Sequence, residues 1–180
     1  MTVVARPLPS ATVLRGCLRD LGRLKSDVAR EGWTPELAGR ALTVFRIAGA
    51  VALDRPVAQA MVDMNVPGRE GQLALRTGMR RRALVSAPTT AEAIARQLGN
   101  GTGPGPRAQA TLEEIRDSLR VFNAARYSRN DHLDTTALDT TLENGTGAIR
   151  RLRATTLWPM RVGAALAKSV AGLGGAVWSR

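Results

Sequence analysis

The sequence predicts a mainly α-helical protein, a helical bundle of six or seven helices with room for one short β-hairpin near residues 72–86. Apolar residues recur at three- and four-residue spacing along most of the chain, and helix-starting signatures precede the periodic stretches. Only six aromatics occur in 180 residues, so the core has to be aliphatic. A hydrophobic content of 44% against 23% charged residues is enough to bury one, which excludes wholesale disorder.

Residues 1–9 read as a proline-containing tail. Ser10 is placed to cap a helix reaching about Glu31, with Leu14, Cys17, Leu18, Leu21, Leu24 and Val28 on its apolar stripe and Arg15, Arg19 and Arg23 on another face. Gly32 stops it. Thr34-Pro35-Glu36 then supplies a capping hydroxyl, a proline at the first helical position and a first-turn acid. The helix so started runs through the apolar stretch from Ala41 to Leu53, interrupted by Arg46. Thirteen residues rise only about 20 Å, short of a ~30 Å hydrocarbon layer, so the stretch reads as a buried central helix. Asp54 and Pro56 open a further short helix, with Val57, Met61 and Val62 turned inward.

Between Asn65 and Pro88 the helical stripe is lost, and a β-hairpin turning at Thr77-Gly78 fits, as does an irregular helix. Thr89-x-x-Glu92 is a capping-box pattern for a helix to Leu98. The run Gly99 to Pro106 reads as a linker. A second box, Thr111-x-x-Glu114, opens a helix striped by Leu112, Ile115, Leu119, Phe122 and Ala125 that ends near Tyr127. Asp134 caps the next, whose stripe of Leu138, Leu142, Gly145, Ile149 and Leu152 keeps its phase through Asn144-Gly145. The chain thus divides into an N-terminal helical part over 1–98, a Gly/Pro linker over 99–110, a helical hairpin over 111–157 and an amphipathic helix over 158–180.

The formal net charge is +11, and 24 of the 26 basic residues are arginine. That bias, with abundant alanine, suggests a high-GC bacterial source. The excess is uneven: residues 108–148 are net acidic, whereas 149–180 hold six cations and no acid. In this last segment Val162, Leu166, Val170, Leu173 and Val177 fall within about 40° of one line on a helix, with Arg161 and Lys168 opposite. Arg150, Arg151 and Arg153 precede it, and Trp158 and Trp178 bracket it. Three fates compete for such a segment. It packs onto its own bundle, it docks on an anionic membrane surface or a partner protein, or it spans a membrane with Lys168 at mid-depth, at a cost of roughly 2.5–3.5 kcal/mol.

Chemistry is sparse in the sequence. A lone Cys17 and a lone His132 exclude an internal disulfide and a Cys/His zinc site. Asn130-Asp131-His132-x-Asp134 offers turn and capping groups before it offers a catalytic pair. No phosphate-binding glycine loop is present, so no enzyme, cofactor or small-molecule substrate is expected. Nucleic acid is the rival partner. Arg80, Arg81 and Arg82 are suited to phosphate contacts, although the helix after Thr89 leads into a long linker where a helix-turn-helix needs a tight turn.

Pro88-Thr89-Thr90-Ala91-Glu92 to Leu98, followed by Leu112 to Phe122-Asn123-Ala124-Ala125-Arg126-Tyr127-Ser128, resembles the soluble C-terminal domain of bacterial transglutaminase-like membrane proteins. Those domains have a Thr-x-x-Glu helix and a second helix ending in Arg-Tyr-Gly; Ser128 stands here in place of that glycine. The resemblance covers residues 88–129, includes nothing of the family's catalytic core, and implies a helical accessory domain working beside a membrane. The expectation is a non-enzymatic, membrane-associated or protein-interaction module. It is expected in the cytoplasm, where no secretory signal at the N-terminus directs it elsewhere, with the inner face of the cell membrane in reach of its last segment.

Overall fold

The structure is a computed structural model that describes residues 7–99, 106–127 and 134–173, with side chains described as far as residue 157. The elements in order are α1 (Ser10–Glu31), α2 (Pro35–Ala52), β1 (Ala58–Asp63), β2 (Leu73–Arg76), β3 (Arg81–Ser86), α3 (Ala91–Gly99), α4 (Pro106–Tyr127) and α5 (Thr135–Leu173). The protein is mainly helical with a small antiparallel sheet of order β1-β3-β2. Five helices, not six or seven, are present among the described residues. One expected helix is the strand β1, and the expected break before Trp158 is absent because α5 is a single helix of 39 residues.

The α1 stripe packs as its spacing requires, with Leu14, Cys17, Leu21 and Leu24 buried. Its N-cap is Pro9, one residue ahead of Ser10, and no side chain caps it. Gly32 ends it at φ 78, a left-handed conformation that glycine adopts without strain, with its N–H on the Val28 carbonyl. At the next start Thr34 caps α2 as expected, its Oγ1 accepting from the Leu37 N–H at 3.2 Å. Thr34→Ala is expected to cost about 1 kcal/mol, read as a melting temperature lower by roughly 2–4 °C.

The second helix is the central one: Val44, Phe45, Ile47 and Ala48 have no exposure. An aromatic file runs beside it, Phe45 stacked on Phe122 at 5.4 Å and Trp33 tilted against Phe122 at 5.6 Å. Gly145 of α5 closes this file. A Cβ there would lie 2.4 Å from Phe45 Cε1 and 2.5 Å from Ser118 Oγ, so only a glycine lets α5 come this near.

Beyond Ala52 the helical expectation fails. Asp54 turns the chain at φ 51, and Ala58–Asp63 pairs with Arg81–Ser86. Met61 is 40% exposed where an inward helix position was expected. The cause is non-local, since hydrogen bonding to a strand some twenty residues on overrides a weak helical stripe. The hairpin expectation holds: β2 and β3 pair antiparallel around Thr77-Gly78, with Leu73, Leu75, Ala83 and Val85 buried in rows on the face toward the helices. Gly16 of α1 receives Leu75 from that face.

Both capping boxes are displaced. Thr90, not Thr89, caps α3 by accepting from the Ala93 N–H at 3.3 Å, while Thr89 is buried with its methyl against Gly49. The fourth helix begins five residues before Thr111, at Pro106 inside the stretch read as linker. Thr111 is consequently interior and donates back to the Arg107 carbonyl at 3.0 Å. The stripes of α4 and α5 are buried at Leu112, Ile115, Leu119, Phe122, Leu138, Leu142 and Ile149, and Asp134 caps α5 through Ala137 N–H at 3.0 Å.

Candidate basic interface

Three contacts fix the directions of the bundle helices. Lys25 reaches Glu143 at 2.8 Å and Trp33 Nε1 donates to Asp139 at 2.9 Å, so α1 runs antiparallel to α5. The Arg151 guanidinium pairs with Glu114, so α4 does too. Phe45 beside Gly145, with Ala52 and Leu152 lining one cavity, makes α2 parallel to α5. One end of the bundle therefore gathers the start of α1, the end of α2, the start of α4 and the turn of α5 near Thr155.

The fifth helix is longer than its partners. At 1.5 Å per residue its 39 residues span about 58 Å against about 33 Å for the 22 of α4. Counted from the Glu114–Arg151 pair, Pro106 lies level with about residue 159 of α5. The helix goes on to Leu173 from there. Pro159 leaves the Thr155 carbonyl without its helical N–H donor. Just before it the Thr155 and Thr156 hydroxyls donate to the Leu152 carbonyl at 2.7 and 3.2 Å. An apolar cavity of about 450 Å³ opens at this level between Ala52, Ala108, Leu112, Leu152 and Ala154.

The basic residues expected to act together are divided by the structure. Arg150 is exposed, Arg151 is engaged by Glu114, and Arg153 is half-buried with its Nε unpartnered among the described residues. Trp158, Arg161, Val162, Leu166, Lys168, Val170 and Leu173 lie on the α5 helix, but their side chains are outside the described residues. Val177 and Trp178 lie wholly outside them, as do Asn130, Asp131 and His132.

The hairpin forms a second basic feature. Leu75 packs on Gly16 of α1, and Gln59 Oε1 on β1 accepts the Leu8 N–H at 2.8 Å, so α1 crosses the sheet from β1 toward β2. The hairpin turn is held by Thr77 N–H on the Arg81 carbonyl at 3.2 Å and Arg76 Nε on the Gly78 carbonyl at 3.2 Å. Arg80 and Arg81 are exposed and Arg82 is half-buried. The register sets Arg82 directly opposite Arg76, and Arg81 opposite Asp63. Among the described residues no carboxylate comes within ion-pair distance of Arg76, Arg80, Arg81 or Arg82. Like charges directly opposite weaken a hairpin, and Arg82 Nε is buried without a partner among the described residues. At the apex Met79 is 87% exposed. Sequence reasoning missed Arg76 and Met79; only strand register joins the first to Arg82, and only the turn lifts the second to the tip.

At the far end the charges are matched. Asp27 is held below its ordinary 3.8 chiefly by the Arg40 hydrogen bond, and Glu143 below 4.5 by Lys25. Arg126 donates to Glu70 at 2.7 Å beside a cavity of about 510 Å³ that also shows Asp20, Arg23, Glu36 and Arg40. Depressed carboxyls stabilise the fold above their unfolded pKa and lose that contribution as pH falls through the folded one. The acid limb of melting temperature against pH, between about pH 5 and 2, should therefore flatten in Asp27→Asn. Cys17 is fully buried and its thiol is pushed up to about 12, chiefly by that burial, so it is not a nucleophile at neutral pH.

No family model, curated protein or solved structure matches the chain. Among the described residues no group of His, Cys, Asp and Glu is placed to hold a metal ion, and no helix is long and apolar enough to cross a membrane.

Proposed function

We propose that this chain is a non-enzymatic helical docking module whose bundle carries an amphipathic helix to an anionic membrane surface. The observation that supports this most strongly is the continuation of α5 to Leu173, past the level at which α4 begins. The sequence of that continuation provides the chemistry. Val162, Leu166, Val170 and Leu173 form an apolar line for the headgroup boundary, Arg161 and Lys168 face the polar side, and Trp158 stands where the helix leaves the bundle. Arg150 and Arg153 add charge at the base. The resemblance of residues 88–129 to a membrane protein's accessory domain points the same way. The working place is the inner face of the bacterial cell membrane.

Full-length protein with Arg161→Gln and Lys168→Gln together should bind phosphatidylserine vesicles about 25-fold more weakly than the unaltered chain, at about fivefold per cation. Equal binding to neutral and anionic vesicles contradicts the reading. Retention of both charges' effect on a protein partner with no vesicle binding would move the helix to partner docking. Nucleic acid is the second reading, favoured by the unpaired arginines of the hairpin; it requires steeply salt-dependent duplex binding that Arg80, Arg81 and Arg82 carry.

A further inference from the structure

We infer that the β2–β3 hairpin is a second membrane contact, its arginines meeting lipid phosphates while Met79 enters the headgroup boundary. This rests on the reading of α5 as a membrane-docking helix and adds a site to it. The apex presents Gly78 and Met79 flanked by Arg76, Arg80, Arg81 and Arg82, an apolar point within a cationic collar. Met79 is 87% exposed and unused by the core. Arg76 and Arg82 are opposed across the strands and Arg82 Nε has no partner among the described residues, so an anion at the collar would relieve an existing repulsion. Asp63, opposite Arg81, is the one acid the register brings to this end of the sheet.

The side chains of the apex distinguish lipid from nucleic acid. A β-ribbon reading a groove needs polar side chains directed at base edges, and this apex offers methionine and glycine.

The test uses full-length Met79→Cys labelled with an environment-sensitive nitrobenzoxadiazole dye. Cys17 stays silent because it has no exposure. The same dye at Ser26→Cys, exposed toward the C-terminal end of α1, is the control. Vesicles of phosphatidylcholine with phosphatidylserine should blue-shift and brighten the dye at 79 but not at 26, and phosphatidylcholine alone should do neither. Adding Arg80→Gln and Arg81→Gln, both at exposed positions, should weaken the response about 25-fold. Protein that sediments with anionic vesicles while the dye at 79 stays unchanged overturns the hairpin contact and leaves the α5 reading intact. A response at 79 that survives Arg161→Gln and Lys168→Gln undiminished, with unaltered sedimentation, sustains the hairpin and overturns α5 docking. A response to duplex DNA and not to vesicles overturns the inference in favour of nucleic acid.

Discussion

Gly145→Ala lowers the melting temperature by roughly 4–8 °C, corresponding to about 2 kcal/mol in a domain of this size. The direction is opposite to the usual one, because alanine in place of an interior helical glycine normally stabilises by roughly 0.5–1 kcal/mol. The added Cβ at 145 would meet Phe45 Cε1 at 2.4 Å, Phe45 Cζ at 2.5 Å and Ser118 Oγ at 2.5 Å. Neither neighbour has room to retreat: Phe45 has no exposure and is stacked on Phe122, and Ser118 is 1% exposed on α4. Two positions on, the nearest atom to a Cβ at Gly147 is the end of the Arg151 side chain at 3.4 Å. Gly147→Ala should therefore raise the melting temperature by about 1–3 °C. Thermal denaturation of the two variants, two residues apart and on opposite faces of one helix, checks the α2–α4–α5 contact directly.

Phe122→Ala should cost more, about 3–5 kcal/mol, or roughly 6–20 °C in melting temperature. Phe122 has no exposure and holds two aromatic contacts, Trp33 at 5.6 Å and Phe45 at 5.4 Å. Its removal opens a cavity between α2 and α4 and releases Trp33, whose indole N–H anchors the start of α5 through Asp139. Combining Phe122→Ala with Gly145→Ala should cost less than the separate losses together, since a ring freed on one side can yield to the new methyl on the other. Equilibrium denaturation of the single and double variants measures that coupling.

Local periodicity made much of the bundle legible. The stripes of α1, α4 and α5 are helix-period patterns that the core absorbs residue for residue, and the phase kept through Gly145 is explained by Phe45 lying against that glycine. Caps were legible only where the side chain had one place to go. Thr34 and Asp134 bond as their positions suggest, whereas Thr89 is drawn inward by Gly49 and leaves the cap to its neighbour. Strand β1 was not legible, because its pairing partners lie in Arg81–Ser86 and nothing in Ala58–Asp63 alone prefers a sheet. The same non-locality hid half of the hairpin site. Arg80, Arg81 and Arg82 stand out in the sequence, but Arg76 joins them only through register. Charge counted by segment put the excess in residues 149–180, whereas strand pairing gathers the hairpin arginines.

The part of α5 beyond the bundle is the proposed docking element. Co-sedimentation of the full chain and of residues 1–156 with phosphatidylserine-containing and neutral vesicles tests it most directly. The full chain should pellet with anionic vesicles and not with neutral ones, and removal of residues 157–180 should lower the bound fraction at least tenfold, leaving only the weaker hairpin contact. Equal pelleting of the two proteins, or no preference for anionic lipid, contradicts it.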